Sequence, residues 1–201
     1  WLEGPALIAT ADGIVMFLNE GGRFIQDDPK RAKAFAAFAK RGGGLVVYHW
    51  GMGAKQVEHV GPFLKLFGGC HGGPDRKYTV VKEAKFQVAS PKHPVMAGIK
   101  SFELPFEEFY YKLKVPKSPK KWTPLVRVPI DGNLKTVGWA WERPDGGRSV
   151  GYSGLHFHVN WRHEQYQRLI AQAVLWTLKK SVPKGGLNPN LKPEVLELRR
   201  R

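Results

Sequence analysis

Hydrophobic residues recur with more than one period along this chain, and each period predicts a different element. Leu45-Val46-Val47-Tyr48 is apolar at every position, not at every second one. That pattern belongs to a strand buried on both faces, inside a parallel sheet covered by helices. Three glycines, Gly42 to Gly44, precede it, and His49-Trp50-Gly51-Met52-Gly53 follows. In open sheets of this kind ligands bind beyond the carboxyl ends of the strands, so His49 stands where a site is expected. A helical period runs just upstream. Ala32, Phe35, Phe38 and Ala39 share one face of a helix from Pro29 to Arg41, with Asp28 as N-cap and Gly42 at C′. A strand at Gly13–Leu18, between loops, completes a strand–helix–strand unit of the right-handed parallel crossover.

Downstream, Lys55–Phe67 predicts a helix broken or restarted at Gly61-Pro62. The glycines of Gly68–Pro74 predict a loop, Tyr78–Val81 a short strand, and His93-Pro94 a turn closed by Gly98. Phe102–Leu113 is aromatic and acidic. Trp122–Ile130, Thr136–Trp141 and Ser149–Tyr152 predict three strands, joined by hairpin-type turns at Asp131-Gly132-Asn133 and Pro144-Asp145-Gly146-Gly147. Tyr166, Leu169, Ile170, Ala173, Val174 and Thr177 mark one face of a helix from His163 to Lys179. From Ser181 onward Pro, Gly, Asn and Lys dominate, which predicts a linker or tail over 181–201, weakly helical from Glu194. The expected architecture is α/β: one domain over 1–180, with three layers around a mostly parallel sheet and an antiparallel extension.

Composition narrows the function classes. The formal charge is +15, from 32 basic and 17 acidic residues. Such an excess favours acidic partners, yet the basic residues are spread over short clusters and no nucleic-acid motif emerges, so nucleic acid is not the expected partner. No apolar run is long enough for a membrane-spanning helix, and no membrane partner is expected. The single cysteine, Cys70, excludes an internal disulfide. The chain opens without Met or a leader, which reads as a fragment or a mature chain and leaves the compartment undetermined.

Several side chains could carry chemistry. His49, His71, Glu108, His156 and His158 are the polar groups able to converge at the sheet edge. Imidazoles with a carboxylate suit zinc or another divalent metal, and His49, His71, Glu108 and His158 are the candidate ligands. The alternative is that each histidine caps a loop or completes a core hydrogen bond. His49 and Glu108 are also the candidate catalytic pair, because a carboxylate among the aromatics of Pro105-Phe106-Glu107-Glu108-Phe109-Tyr110-Tyr111 suits a general acid. The other reading is that one of the two glutamates is solvated while its neighbour braces the backbone. Trp50, Tyr110 and Trp161 offer flat faces on which a sugar could stack, with His156 beside them, or else belong to the core. Cys70 and His71 are adjacent, and neighbouring residues rarely point at each other, so a small buried thiol is the simpler reading.

Taken in order, Gly42–His49, Leu66-Phe67-Gly68-Gly69, His93-Pro94 with Gly98, Glu107-Glu108-Phe109-Tyr110, and Gly154-Leu155-His156 with Trp161 resemble the ThuA-like, trehalose-utilisation family. The resemblance spans residues 7–180. It implies a flavodoxin-like, class I glutamine amidotransferase-like fold without the catalytic cysteine, a first strand preceding residue 1, and a sugar or oxidised sugar as ligand. The turn at His49–Gly53 accordingly contains no Cys, Ser or Thr, so no glutaminase activity is expected. Two departures stand out. Pro74 occupies the neighbourhood of the family's His-Pro, with His71 earlier, and Gly-Leu-His-Phe-His replaces its Gly-His. The expected function is a carbohydrate-acting or carbohydrate-binding protein. The competing expectation is a non-catalytic carbohydrate- or protein-binding module of a larger polypeptide.

Overall fold

The computed structural model describes residues 3–117 and 119–197. The chain forms α1 (Gly4–Thr10), β1 (Gly13–Met16), α2 (Gly21–Gln26), α3 (Pro29–Lys40) and β2 (Gly44–Tyr48). Next come β3 (Gly53–Ala54), α4 (Val57–Phe67), β4 (His71–Gly72), β5 (Lys77–Val88) and β6 (Phe102–Tyr111). The last elements are β7 (Trp122–Ile130), β8 (Asn133–Glu142), β9 (Arg148–Tyr152) and α5 (Glu164–Thr177).

The strand–helix–strand start follows its local signals. Asp28 Oδ1 accepts from the backbone N–H of Lys30 and Arg31, which caps α3, and Gly42 ends it at φ +81°. β2 is buried along its whole length because the sheet has a core on each face. Leu45 and Val47 meet Phe35, Phe38, Phe63 and Phe67 of α3 and α4. Val46 and Tyr48 meet Tyr166, Leu169, Ala173 and Trp176 of α5.

The expected mostly parallel sheet is corrected by the strand order. Seven strands run β1-β2-β9-β8-β7-β5-β6, and only β1–β2 and β2–β9 are parallel. The other four pairings are antiparallel. The reason is connectivity: a parallel neighbour needs a crossover, and among the described residues no α-helix lies between β5 and β9. The extension therefore outweighs the parallel part and curls round to bring β6 back toward the ends of β2 and β9.

Smaller corrections have similar causes. Gly4–Thr10 forms α1 in place of the expected loop. Pro62 lies inside α4 without breaking it, because the buried face of His59, Phe63, Leu66 and Phe67 holds the helix through one missing hydrogen bond. His71–Gly72 is not loop: it pairs in parallel with Gly53–Ala54. The short strand at 78–81 is the middle of the 12-residue β5. In the segment after Ser181, Leu187 N donates to Gln172 Oε1 at 2.7 Å and Pro193–Leu196 forms a 3₁₀ turn. The end of the weakly helical stretch, from Leu198, lies outside the described residues.

At the amino-terminal end of β2 the β8–β9 turn is locked by a buried guanidinium. Arg143 Nε reaches both oxygens of Asp145 at 3.1 Å, Nη1 donates to Ser149 Oγ at 2.9 Å, and Nη2 donates to Gly43 O at 2.7 Å. Removing it strands several acceptors at once. Arg143→Ala should lower stability by about 3 kcal/mol, read as a shifted chemical-denaturation midpoint; a loss near zero would show the network to be dispensable.

Candidate functional site

The parallel strands end side by side. Tyr48 of β2 is in register with Tyr152 of β9, so the next residues, His49 and Ser153, are neighbours. His49 Nδ1 lies 3.2 Å from the carbonyl oxygen of Ser153. A carbonyl only accepts, so Nδ1 carries the proton and Nε2 is left with a bare lone pair. Burial lowers the His49 pKa, with Glu108 and the Ser153 carbonyl acting against it, so the ring is neutral near pH 7. A ring held this way by a backbone carbonyl has the tautomer and orientation of a metal ligand.

That lone pair points at three heteroatoms. Tyr110 Oη is 3.1 Å from Nε2, His156 Nδ1 is 3.0 Å away, and Glu108 Oε1 is 3.8 Å away. His156 Nδ1 is itself 3.6 Å from Glu108 Oε1. One lone pair cannot satisfy so many neighbours, whereas a cation can. The candidate ligand atoms of His49, Glu108 and His156 all lie within 4.8 Å of one another. Donors about 2.0–2.1 Å from a tetrahedral zinc stand roughly 3.3 Å apart, so small side-chain shifts would seat an ion. The His156 side chain is 44% exposed, which leaves one side open to a further ligand.

Each donor has its own support. Glu108 and Tyr110 point the same way from β6, as residues two apart on a strand must, while Glu107 points to the opposite face. There Glu107 is fully buried and only accepts. Its Oε1 takes the backbone N–H of Glu108 (2.9 Å), His156 (3.1 Å) and Phe157 (3.4 Å). Its Oε2 takes Asn160 Nδ2 (3.1 Å) and Tyr166 Oη (2.9 Å). The Tyr166 hydroxyl is also 2.7 Å from that of Tyr152. A side chain at Gly154 would strike both tyrosine hydroxyls, 2.6 and 2.7 Å from its Cβ, so only glycine lets the chain pass. The sequence left open whether one of the two glutamates braces the backbone; Glu107 does so, and it holds the loop that carries His156.

Backbone strain marks both sides of the cluster. His49 has φ +48° and Leu155, just before His156, has φ +79°. Such conformations cost a non-glycine residue on the order of 1–3 kcal/mol. Both are held by buried surroundings.

Beside the cluster lies a cleft of about 320 Å³ lined by Trp50, Lys55, His71, Arg76, Tyr78, Glu108 and Tyr110. The Tyr110 ring is sandwiched between His49 (4.8 Å, 26°) and His71 (4.5 Å, 24°), with Trp50 tilted against it at 5.4 Å. His71 is buried and its Nδ1 has no partner among the described residues. Burial first, then Arg76 and His49, push its pKa down to about 4.

The structure thus brings together His49, Glu108, His156 and Tyr110, with Trp50 and His71 across the Tyr110 ring. Trp161 is half-buried and touches Phe17 at 5.7 Å, on the other side of His49. His158 lies apart, lining a separate cleft with Arg162 and Leu196. Cys70 is fully buried, and burial pushes its thiol up to about 12, which makes it unreactive. Sequence reasoning missed Ser153, Asn160, Tyr166, Tyr78, Lys55 and Arg76. Ser153 acts through its backbone carbonyl and leaves no side-chain signal, and Tyr78 meets Tyr110 only through the β5–β6 register.

The family model described as ThuA, trehalose utilisation, matches residues 6–177. No curated protein matches the chain. Among solved structures, a putative ThuA-like protein from Bacteroides uniformis superposes with a TM-score of 0.67 at 20% identity, covering 94% of this chain and 76% of that one. One from Parabacteroides merdae gives 0.69 at 15%, covering 91% and 77%. A cytoplasmic protein from Salmonella typhimurium gives 0.57 at 14%, covering 86% and 73%. At these identities the structures share the fold.

Two outcomes follow from this geometry. Glu107→Gln turns one oxygen into an N–H₂ that faces either three backbone N–H groups or the Asn160 amide N–H₂, so it should cost about 1–3 kcal/mol; an unchanged melting temperature would mean that the five contacts carry no weight. His71 has a folded pKa near 4 against an unfolded value of about 6.5. The unfolded state therefore binds the proton first, and this contribution is complete above about pH 6.5 and is lost as pH falls toward 4. Melting temperatures of His71→Gln should accordingly fall less steeply than those of the parent between pH 6.5 and 4, and parallel curves would contradict it.

Proposed function

The chain belongs to the ThuA, trehalose-utilisation family, and from that premise we propose that it holds a divalent cation at His49, Glu108 and His156 and binds a sugar in the adjoining cleft. The role is carbohydrate-related, as the family's description suggests. The observation that carries the reading is the convergence of His49 Nε2, His156 Nδ1 and Glu108 Oε1 around one point, with the His49 lone pair aimed into it. The donor set, two imidazoles and a carboxylate with an open side, fits zinc or a similar borderline ion.

A cation bound there would polarise a sugar oxygen and lower the pKa of a coordinated hydroxyl. The protein's own groups would do the rest. Trp50 and Tyr78 present rings to the apolar face of a sugar. The Tyr110 hydroxyl, whose pKa burial and Glu108 hold well above its ordinary range, stays protonated and can donate to a ligand oxygen. Glu108, facing the cleft, can accept a hydroxyl proton. Glutaminase chemistry has no residue to run on, since the turn after β2 carries His49 where a nucleophile would stand.

Metal content of the purified chain, zinc titration and calorimetry with trehalose and glucose test this reading. His49→Asn keeps a residue that tolerates the left-handed backbone, and Glu108→Gln keeps the shape. Each should weaken zinc binding by more than the roughly 10–100-fold that outer-shell partners cost, and weaken sugar binding with it, while the melting temperature of the metal-free protein stays within a few degrees. Lower stability with zinc and sugar binding unchanged would make both residues structural and remove the site.

A further inference from the structure

The cleft is not electrically neutral, and its charge is unevenly placed. Glu108 stands at the His49 side. Arg76 stands near His71, close enough that its charge lowers the imidazole's basicity. Arg76 is half-buried, and its one hydrogen bond among the described residues runs from Nη1 to Gly73 O at 2.9 Å. No carboxylate of the described residues lies within 4.0 Å of it, because the nearest in sequence, Asp75, is taken by Lys114 at 2.7 Å. Four guanidinium N–H groups are thus unspent. Lys55 adds a second cation at the cleft, 6.0 Å from the Trp50 ring and only loosely held by Glu20 at 3.8 Å.

A guanidinium with unspent donors on the wall of an aromatic cleft is built for a planar or tetrahedral oxyanion, which it grips with two parallel hydrogen bonds. Resting on the sugar-binding reading above, we propose that the ligand is an acidic sugar, whose carboxylate or phosphate is gripped by Arg76 while its ring lies against Trp50 and Tyr78 and its hydroxyls face Glu108 and the cation. The orientation follows from charge. Arg76 offers the acid two parallel N–H groups at one side of the cleft, whereas at the other the charge of the cation is already partly neutralised by Glu108. The volume, about 320 Å³, sits at the small end of small-molecule sites and suits one ring, free or ending a longer chain. His71, neutral and buried behind Tyr110, adds no competing charge.

Calorimetry of the zinc-loaded full chain with D-glucuronate, glucose 6-phosphate and glucose tests the proposal. At least one of the two acids should bind about tenfold tighter than glucose, and the tighter acid tells carboxylate from phosphate. Arg76→Gln should abolish that advantage and leave glucose and zinc binding unchanged. Lys30→Ala, which removes one charge from the distant helix α3, should leave the advantage intact. The proposal is overturned by glucose binding as tightly as both acids, by an advantage that survives Arg76→Gln, or by equal losses in Lys30→Ala, which would trace it to net charge. Those outcomes leave the sugar site standing. Failure of all three sugars to bind zinc-loaded protein would instead overturn the underlying reading as well.

Discussion

One buried carboxylate holds the site together. Glu107 sits at the meeting point of β6, the loop after β9 and α5, three elements that are far apart in the chain, and it gives each of them a hydrogen-bond acceptor. Five donors around a fully buried group make an arrangement that is favourable only when complete, since every unmet donor in a dry interior costs free energy. The consequence reaches Glu108 and His156. Both take their positions from the backbone that Glu107 grips, on the strand in one case and on the loop in the other.

The parallel and antiparallel halves of the sheet divide the work. The parallel strands end together and bring His49 beside Ser153, whose carbonyl selects the tautomer that leaves Nε2 free. The antiparallel half supplies the curl that carries Glu108 and Tyr110 to the same place. Strain at Leu155 is tolerated because its side chain is packed in the core on the α5 face of the sheet, and strain at His49 because its ring is bonded to the Ser153 carbonyl and stacked on Tyr110. At the opposite end of β2, Arg143 closes the β8–β9 turn with a network equally dependent on completeness. Stability and site chemistry are therefore anchored at opposite ends of the same strand.

The cleft shows that the groups of a candidate site need not be close in sequence. Trp50, His71, Tyr78 and Tyr110 come from four segments and form one aromatic wall, with Glu108 and Arg76 at its two sides. Ring stacking sets the wall, and the opposite charges of Glu108 and Arg76 make its two sides unlike.

Local signals determined much of this protein. The cap at Asp28, the glycine at 42 and the unbroken apolar run at 45–48 specify α3 and β2, because each depends only on the residues themselves and on burial of both faces. From β2 the position of His49 at the carboxyl end of the parallel strands follows, as does the acidic-aromatic β6 from its residue types. The tertiary structure alone decided the rest. The sheet is mainly antiparallel, since strand direction depends on which elements lie between strands. Glu107 and Glu108, identical in type and adjacent, diverge into a brace and a candidate ligand only because the pleat turns them to opposite faces. His156 reaches His49 while His158, two residues on, faces another cleft, because the chain enters a 3₁₀ turn there and the extended spacing of two is lost. Arg76 gave no signal in the sequence, because an unpaired cation matters only for what the fold places in front of it.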